Sequence, residues 1–227
     1  MDMGEVCDRY GRPRTLVLVD EFGELDLPPG WRAVAASGDA GESVNSAMAL
    51  WNAELLRSLP TFREKFSERL VDVRLCMDRD ALALLYVARH DNGTDLVHWL
   101  GVDPRLDAAV EPVFARTLPP AVRYFLRNVH GGFTSPDCDS YGFVRPSHMD
   151  TFAGWAGFDG PIPGWDEDAA IGSTRLMVVT KDSGLLYYCT TPDRPANTMV
   201  LVFEGDVDDR HEFHTAMDEL LCEHFSE

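Results

Sequence analysis

The chain has 227 residues, 45% of them hydrophobic, enough for a core and too many for a disordered chain. It carries 38 acidic against 20 basic residues, a formal charge of −18 that falls on both halves: 20 acids against 12 bases in residues 1–112, 18 against 8 in 113–227. Such a field repels nucleic acid and anionic membranes and speeds encounter with basic surfaces, although solubility alone is a simpler use for it.

Thr15–Val19 is a β-branched run and reads as a strand. Pro28-Pro29-Gly30 is a turn signal, and Trp31–Ala35 reads as a second strand. Gly38-Asp39-Ala40-Gly41 is a loop, and no Gly-Lys-Ser/Thr follows it as in a phosphate loop. From Glu42 to Leu59 the residues Val44, Met48, Trp51, Leu55 and Leu59 share one helical face, and Pro60 ends that helix. A short helix is expected over Phe62 to Leu70. Strands are expected over Val71–Met77, Leu82–Arg89 and Thr94–Leu100, with Asp91-Asn92-Gly93 as a tight turn. Asp103-Pro104 marks the expected junction between an N-terminal α/β region, 1–102, of no assigned family and a second domain, 103–227.

The second part opens with an expected helix from Leu106 to Arg116. Leu118-Pro119-Pro120 then starts another, with Val122, Phe125, Leu126 and Val129 as its buried stripe. Gly131-Gly132 is expected to supply the positive φ that ends it. Arg57-Ser58-Leu59-Pro60 followed by Phe66 parallels Arg116-Thr117-Leu118-Pro119 followed by Phe125, a weak repeat for which coincidence is the better explanation, since helices of this period after Pro are common. Thr134 to Gly172 is irregular and rich in Gly, Pro, Asp and aromatics, and a loop of that length points to function or poor order. Arg175–Val179, Leu185–Cys189 and Thr198–Phe203 read as strands, the first two joined by Lys181-Asp182-Ser183-Gly184. A closing helix runs from about Asp209 to Phe225, with Asp209 and Glu212 spaced for a capping box.

The order helix, Leu-Pro, helix, Gly-Gly, followed by a small sheet and a closing helix, resembles the SUKH superfamily over about Asp103 to Glu227. The resemblance implies an α+β fold, with a SUKH-like small twisted antiparallel sheet and flanking helices behind the unassigned N-terminal region. It also implies a non-enzymatic role, since SUKH domains serve mostly as immunity proteins that neutralise bacterial toxins. The partner expected on that ground is a cognate protein toxin with a basic surface, not nucleic acid or a membrane. The alternatives are a regulatory adaptor for a signalling or cell-wall-synthesis protein, and an enzyme with its site between the two halves.

The residues themselves offer little catalytic chemistry. No G-x-S-x-G occurs, and Ser135, Ser140 and Ser147 are near His130 and His148 only in sequence. Cys138 lies between Asp137 and Asp139, an acidic setting that disfavours a thiolate. Five cysteines at wide spacing, with no C-x-x-C, fit reduced thiols of a cytoplasmic protein. The acidic start Met1-Asp2-Met3-Gly4-Glu5 lacks signal-peptide regions, and no apolar run is long enough to span a membrane. His211, His214 and Asp218 have ligand-like spacing on the closing helix, but a solvent-facing polar stripe gives the same pattern. No cofactor, metal or catalytic residue is therefore expected. The partner-binding candidates are Trp155, Asp159, Trp165, Asp166, Glu167 and Asp168, since tryptophan is frequent in interface hot spots and acids engage basic partners.

Overall fold

The computed structural model describes residues 16–165 and 169–227. It is an α+β protein built on two antiparallel sheets. The first sheet takes β1 (Leu16–Leu18), β2 (Leu70–Asp78), β3 (Ala81–Arg89), β4 (Leu96–Val102) and β5 (Phe133–Thr134), paired in chain order. Helices α1 (Trp31–Ala35), α2 (Ala40–Met48), α3 (Ala53–Ser58) and α4 (Pro60–Arg69) lie between β1 and β2, and α5 (Pro120–Asn128) lies between β4 and β5. After the one-turn α6 (Phe152–Trp155) comes the second sheet, β6 (Met177–Lys181), β7 (Leu186–Thr190), β8 (Thr198–Phe203) and β9 (Asp206–Glu212), then α7 (Phe213–Glu223).

Period-two alternation explains how both sheets bury two faces. On β3, Leu84, Tyr86 and Ala88 enter the main cluster, while Ala83, Leu85 and Val87 enter a smaller one with Leu16, Cys76 and Leu100. In the second sheet Met177, Val179, Tyr188 and Met199 face the main cluster and α7, whereas Val178, Cys189, Val200 and Val202 face outward under the 152–176 segment. A self-contained core is expected of residues 104–227. Of the six residues expected in it, Phe125, Leu126, Phe213 and Leu220 are buried but share one cluster with Trp31, Trp51, Phe62 and Phe66 from before residue 103, Leu201 is only partly buried against that cluster, and Val178 is buried in the separate outer one.

Several elements differ from the sequence reading. Trp31–Ala35 is a helix, because Gly30 takes φ 82° at its start and Trp31 and Val34, three apart, both reach the core. The expected helix over 42–59 is two helices, broken at Trp51, whose ring inserts among Phe62, Phe66, Phe125 and Phe133. Pro60 does not merely stop a helix but occupies the first turn of α4, as Pro120 does in α5. Leu106 to Arg116 forms turns and a single 3₁₀ turn at Ala115–Thr117, since Pro112 lacks the N–H that a helix interior needs. Asp209 lies in β9 and pairs with Arg194, so the closing helix starts at Phe213, capped by Glu212, whose carboxylate accepts from Thr215 N at 2.7 Å. The Gly131-Gly132 pair comes after α5 has ended and serves close approach instead: a Cβ on Gly131 would meet Asp103 O at 2.8 Å, and Gly132 has φ 152°.

Candidate functional site

The irregular stretch after β5 divides into two parts with different roles. Residues 133–151 join the two sheets: Phe133 bridges Phe143, Val144 N donates to Val179 O at 3.0 Å, and Thr151 bridges Met177. At its tip Asp137 accepts from Ser135 Oγ at 2.6 Å, Ser140 Oγ at 2.7 Å, and the N–H groups of Asp139 and Ser140. Burial pushes the Asp137 carboxyl upward, but these bonds outweigh it and hold it below the usual carboxylate range. The serines are thus engaged in shaping a turn. Ser147 donates to Asp107, which Arg145 also holds at 2.8 Å.

The histidines are committed elsewhere. His130 is fully buried, its Nε2 2.8 Å from the Tyr86 hydroxyl, and desolvation lowers its pKa to about 3. His148 lies 4.0 Å from Asp139. Cys138 Sγ faces Asp78 Oδ2 at 3.9 Å, in a hollow of about 270 Å³ also bordered by Arg145 and His148. A thiol beside a carboxylate donates to it and is not activated.

His211, His214 and Asp218 do not converge. His211 is on β9 beside Asp208 at 3.3 Å, and His214 contacts Glu212 at 3.1 Å. Asp218 turns inward and accepts from Thr61 N at 3.1 Å and Phe62 N at 2.7 Å, so it caps α4 from the far end of the chain. Among the described residues no three His, Cys, Asp or Glu are grouped to hold a metal ion, and no helix is long and apolar enough to cross a membrane.

The second part, described at residues 152–165 and 169–176, packs Phe152, Trp155, Trp165, Ile171 and Leu176 on the outer face of the second sheet. Phe152 packs 4.9 Å from Trp165 and 5.2 Å from Tyr187, and Trp155 lies edge-on to Tyr187 at 6.1 Å. Both indole N–H groups find carbonyls, Trp155 on His148 O at 2.7 Å and Trp165 on Ile171 O at 3.2 Å. The two tryptophans are half-buried parts of the protein's own packing, leaving Phe158 and Asp159 exposed. Asp166, Glu167 and Asp168 lie outside the described residues.

Trp165 also reaches the end of the second sheet where two hairpins turn: a Cβ on Gly205 would sit 3.9 Å from its ring. Antiparallel pairing puts the β6–β7 and β8–β9 turns at that same end, with Leu186 opposite Phe203 and Phe203 opposite Asp206. The second turn is Glu204-Gly205, both at positive φ, the tight geometry that favours glycine and strains glutamate. Leu185 and Phe203 are large apolar residues left 54% and 50% exposed there. The two turns carry the carboxylates Asp182, Glu204 and Asp206, and the C-terminal Glu227 accepts from Ser183 Oγ at 3.3 Å, with Glu223 within reach of the charges of Glu227 and Asp182. None of the five takes part in an ion pair among the described residues. Partial burial, then the charges of Glu227 and Asp182, raise the Glu223 pKa, as expected of crowded like charges.

The site therefore gathers Trp165 with residues that sequence reading passed over. Leu185, Phe203 and Glu204 read as ordinary strand and turn positions. Only the register that stacks two turns at one end joins them. Comparison with family models, curated proteins and solved structures finds no match for this chain.

Proposed function

We propose that the protein is an immunity protein that neutralises a cognate bacterial toxin by binding a basic surface, with residues 103–227 as a SUKH-like domain. The observation that carries this reading is the turn end of the second sheet, where exposed Leu185 and Phe203 adjoin turns bearing Asp182, Glu204 and Asp206, none of them in an ion pair among the described residues. An apolar centre with a charged surround is the anatomy of a specific interface, and the −18 charge adds long-range attraction to a basic cleft. A nuclease toxin presents such a cleft, because its substrate is a polyanion. Binding there occludes the substrate and requires no catalytic residue in the inhibitor.

The test is a pull-down from the native host, then co-expression with the captured toxin, reading cell survival, followed by surface plasmon resonance on the purified pair. Protection is expected, with an association rate that falls steeply with salt, as screening shortens to about 8 Å at physiological ionic strength. Joint replacement of Asp182, Glu204 and Asp206 by Ser is expected to slow association and to weaken protection. A chain that binds no such toxin, or binds one with no dependence on salt or on these acids, would refute the reading.

A further inference from the structure

Acidity is not spread evenly over this chain. Residues 112–136 contain no Asp or Glu, in a protein with 38 of them, and carry Arg116, Arg123 and Arg127. None of the three takes part in an ion pair among the described residues. Arg116 and Arg127 are exposed, as is Tyr124 between them in sequence, while Arg123 is half-buried.

Exposed apolar residues share this face. Val110, Arg123 and Arg127 border one hollow, Val113 and Arg116 border the next, and Pro112 and Ala115 belong to both. The second is an open groove of about 520 Å³, bordered also by Phe114 and Pro192, with room for a large apolar side chain. Glu111 is the one acid on its border, and Asp193, next to Pro192, is already held by Arg175.

This face is the inverse of the turn end of the second sheet. There, exposed Leu185 and Phe203 adjoin turns bearing Asp182, Glu204 and Asp206. Here, an apolar groove is flanked by arginines that lack carboxylates. Apolar surface meeting apolar surface, inside opposite charges, is the complementarity of a specific interface. The arginine fork also matches a carboxylate bidentately.

The net charge of −18 opposes any contact between two copies. Ionic strength decides which effect wins. At physiological salt a field decays over about 8 Å, so the charges at the contact dominate, and those are opposite. At about 0.01 M salt the decay length is about 30 Å, and the repulsion of whole molecules prevails.

We propose that this groove receives the turn end of a second copy of the chain, with Leu185 and Phe203 against its apolar wall and Asp182, Glu204 and Asp206 on Arg116 and Arg127. The contact joins two different surfaces, so it builds chains or rings and not a two-fold pair. It covers the turn end, so a second copy competes there with the basic partner proposed above. Self-association is measured without any toxin, so each of the two readings can fail alone.

Sedimentation equilibrium of the full chain at about 0.15 M salt should give a mean mass that rises with concentration up to about 1 mM, the range of a weak contact. Association should be weaker at both about 0.01 M and about 1 M salt. Joint Arg116→Ser and Arg127→Ser, at exposed positions, should leave the circular dichroism melt unchanged and weaken association at least about tenfold. Joint Asp182→Ser, Glu204→Ser and Asp206→Ser should weaken it as much. Mixed together, the two variants retain one intact surface each and should form a 1:1 pair that grows no further. The proposal is overturned by a chain that stays monomeric at about 1 mM, by association that either folded variant leaves unchanged, or by a mixture of the variants that stays monomeric.

Discussion

Asp218→Ala should destabilise the protein by about 2–4 kcal/mol, because this side chain fastens the last helix to the fourth. Helix α4 opens with Leu59 as its N-cap, which has no side-chain acceptor, and with Pro60, which has no N–H to satisfy. The orphan donors are Thr61 N and Phe62 N, and Asp218 accepts both, at 3.1 and 2.7 Å, from 157 and 156 residues away. A local cap of this kind is worth about 0.5–2 kcal/mol. Asp218 adds two terms. Its bonds are charge-assisted and sit at the positive end of the helix dipole, and its loss strands the Phe62 N–H in the core, where an unpaired donor costs about 1–3 kcal/mol. Asp218→Asn keeps one acceptor oxygen and should cost only about 1 kcal/mol. Glu219→Ala, next door but exposed, should stay within about 0.5 kcal/mol. The assay is urea unfolding followed by circular dichroism. A loss below about 0.5 kcal/mol for Asp218→Ala, or equal losses for Ala and Asn, would show that the α4–α7 junction rests on apolar packing alone.

Two further outcomes follow from buried groups. Because His130 is held neutral with a pKa of about 3 against an ordinary 6.5, the unfolded chain takes up a proton first as pH falls. Stability should therefore be full above about pH 6.5 and decline below it, by up to about 1.4 kcal/mol per unit, and urea midpoints from pH 7.5 to 5.5 that do not fall would contradict the neutral His130–Tyr86 pair. Gly142→Ala should destabilise by several times the roughly 1 kcal/mol of an average substitution, since its Cβ would lie 1.8 Å from the Phe133 carbonyl oxygen and the Phe133–Phe143 bridge would have to part; a melting temperature within about 2 °C of the parent would show that the bridge yields easily.

The local elements were largely legible in the sequence where one signal dominated. Alternation and bulk placed β3 and β8, proline spacing placed α5, and Asp91-Asn92-Gly93 placed its turn, with Gly93 at φ 76°. Weaker signals gave way to packing. Trp31–Ala35 carries strand-forming residues but turns helical to bury Trp31, and an acidic run that resembles a helix start at Asp209 is drawn into β9 by pairing with β8. The sites depended on tertiary structure almost entirely. Composition announced an acidic protein, and the aromatic richness of 152–165 was visible at once, but nothing local shows that both tryptophans spend their polar atoms on neighbouring carbonyls. Which carboxylates remain without cations, which turn lies beside which, and that Asp218 caps a helix at Pro60 are relations between residues far apart in the chain. Sequence fixes short-range conformation through spacing and sterics. Charge pairing and burial depend on which distant surfaces meet, and here that meeting is made by a core that draws on both sides of residue 103.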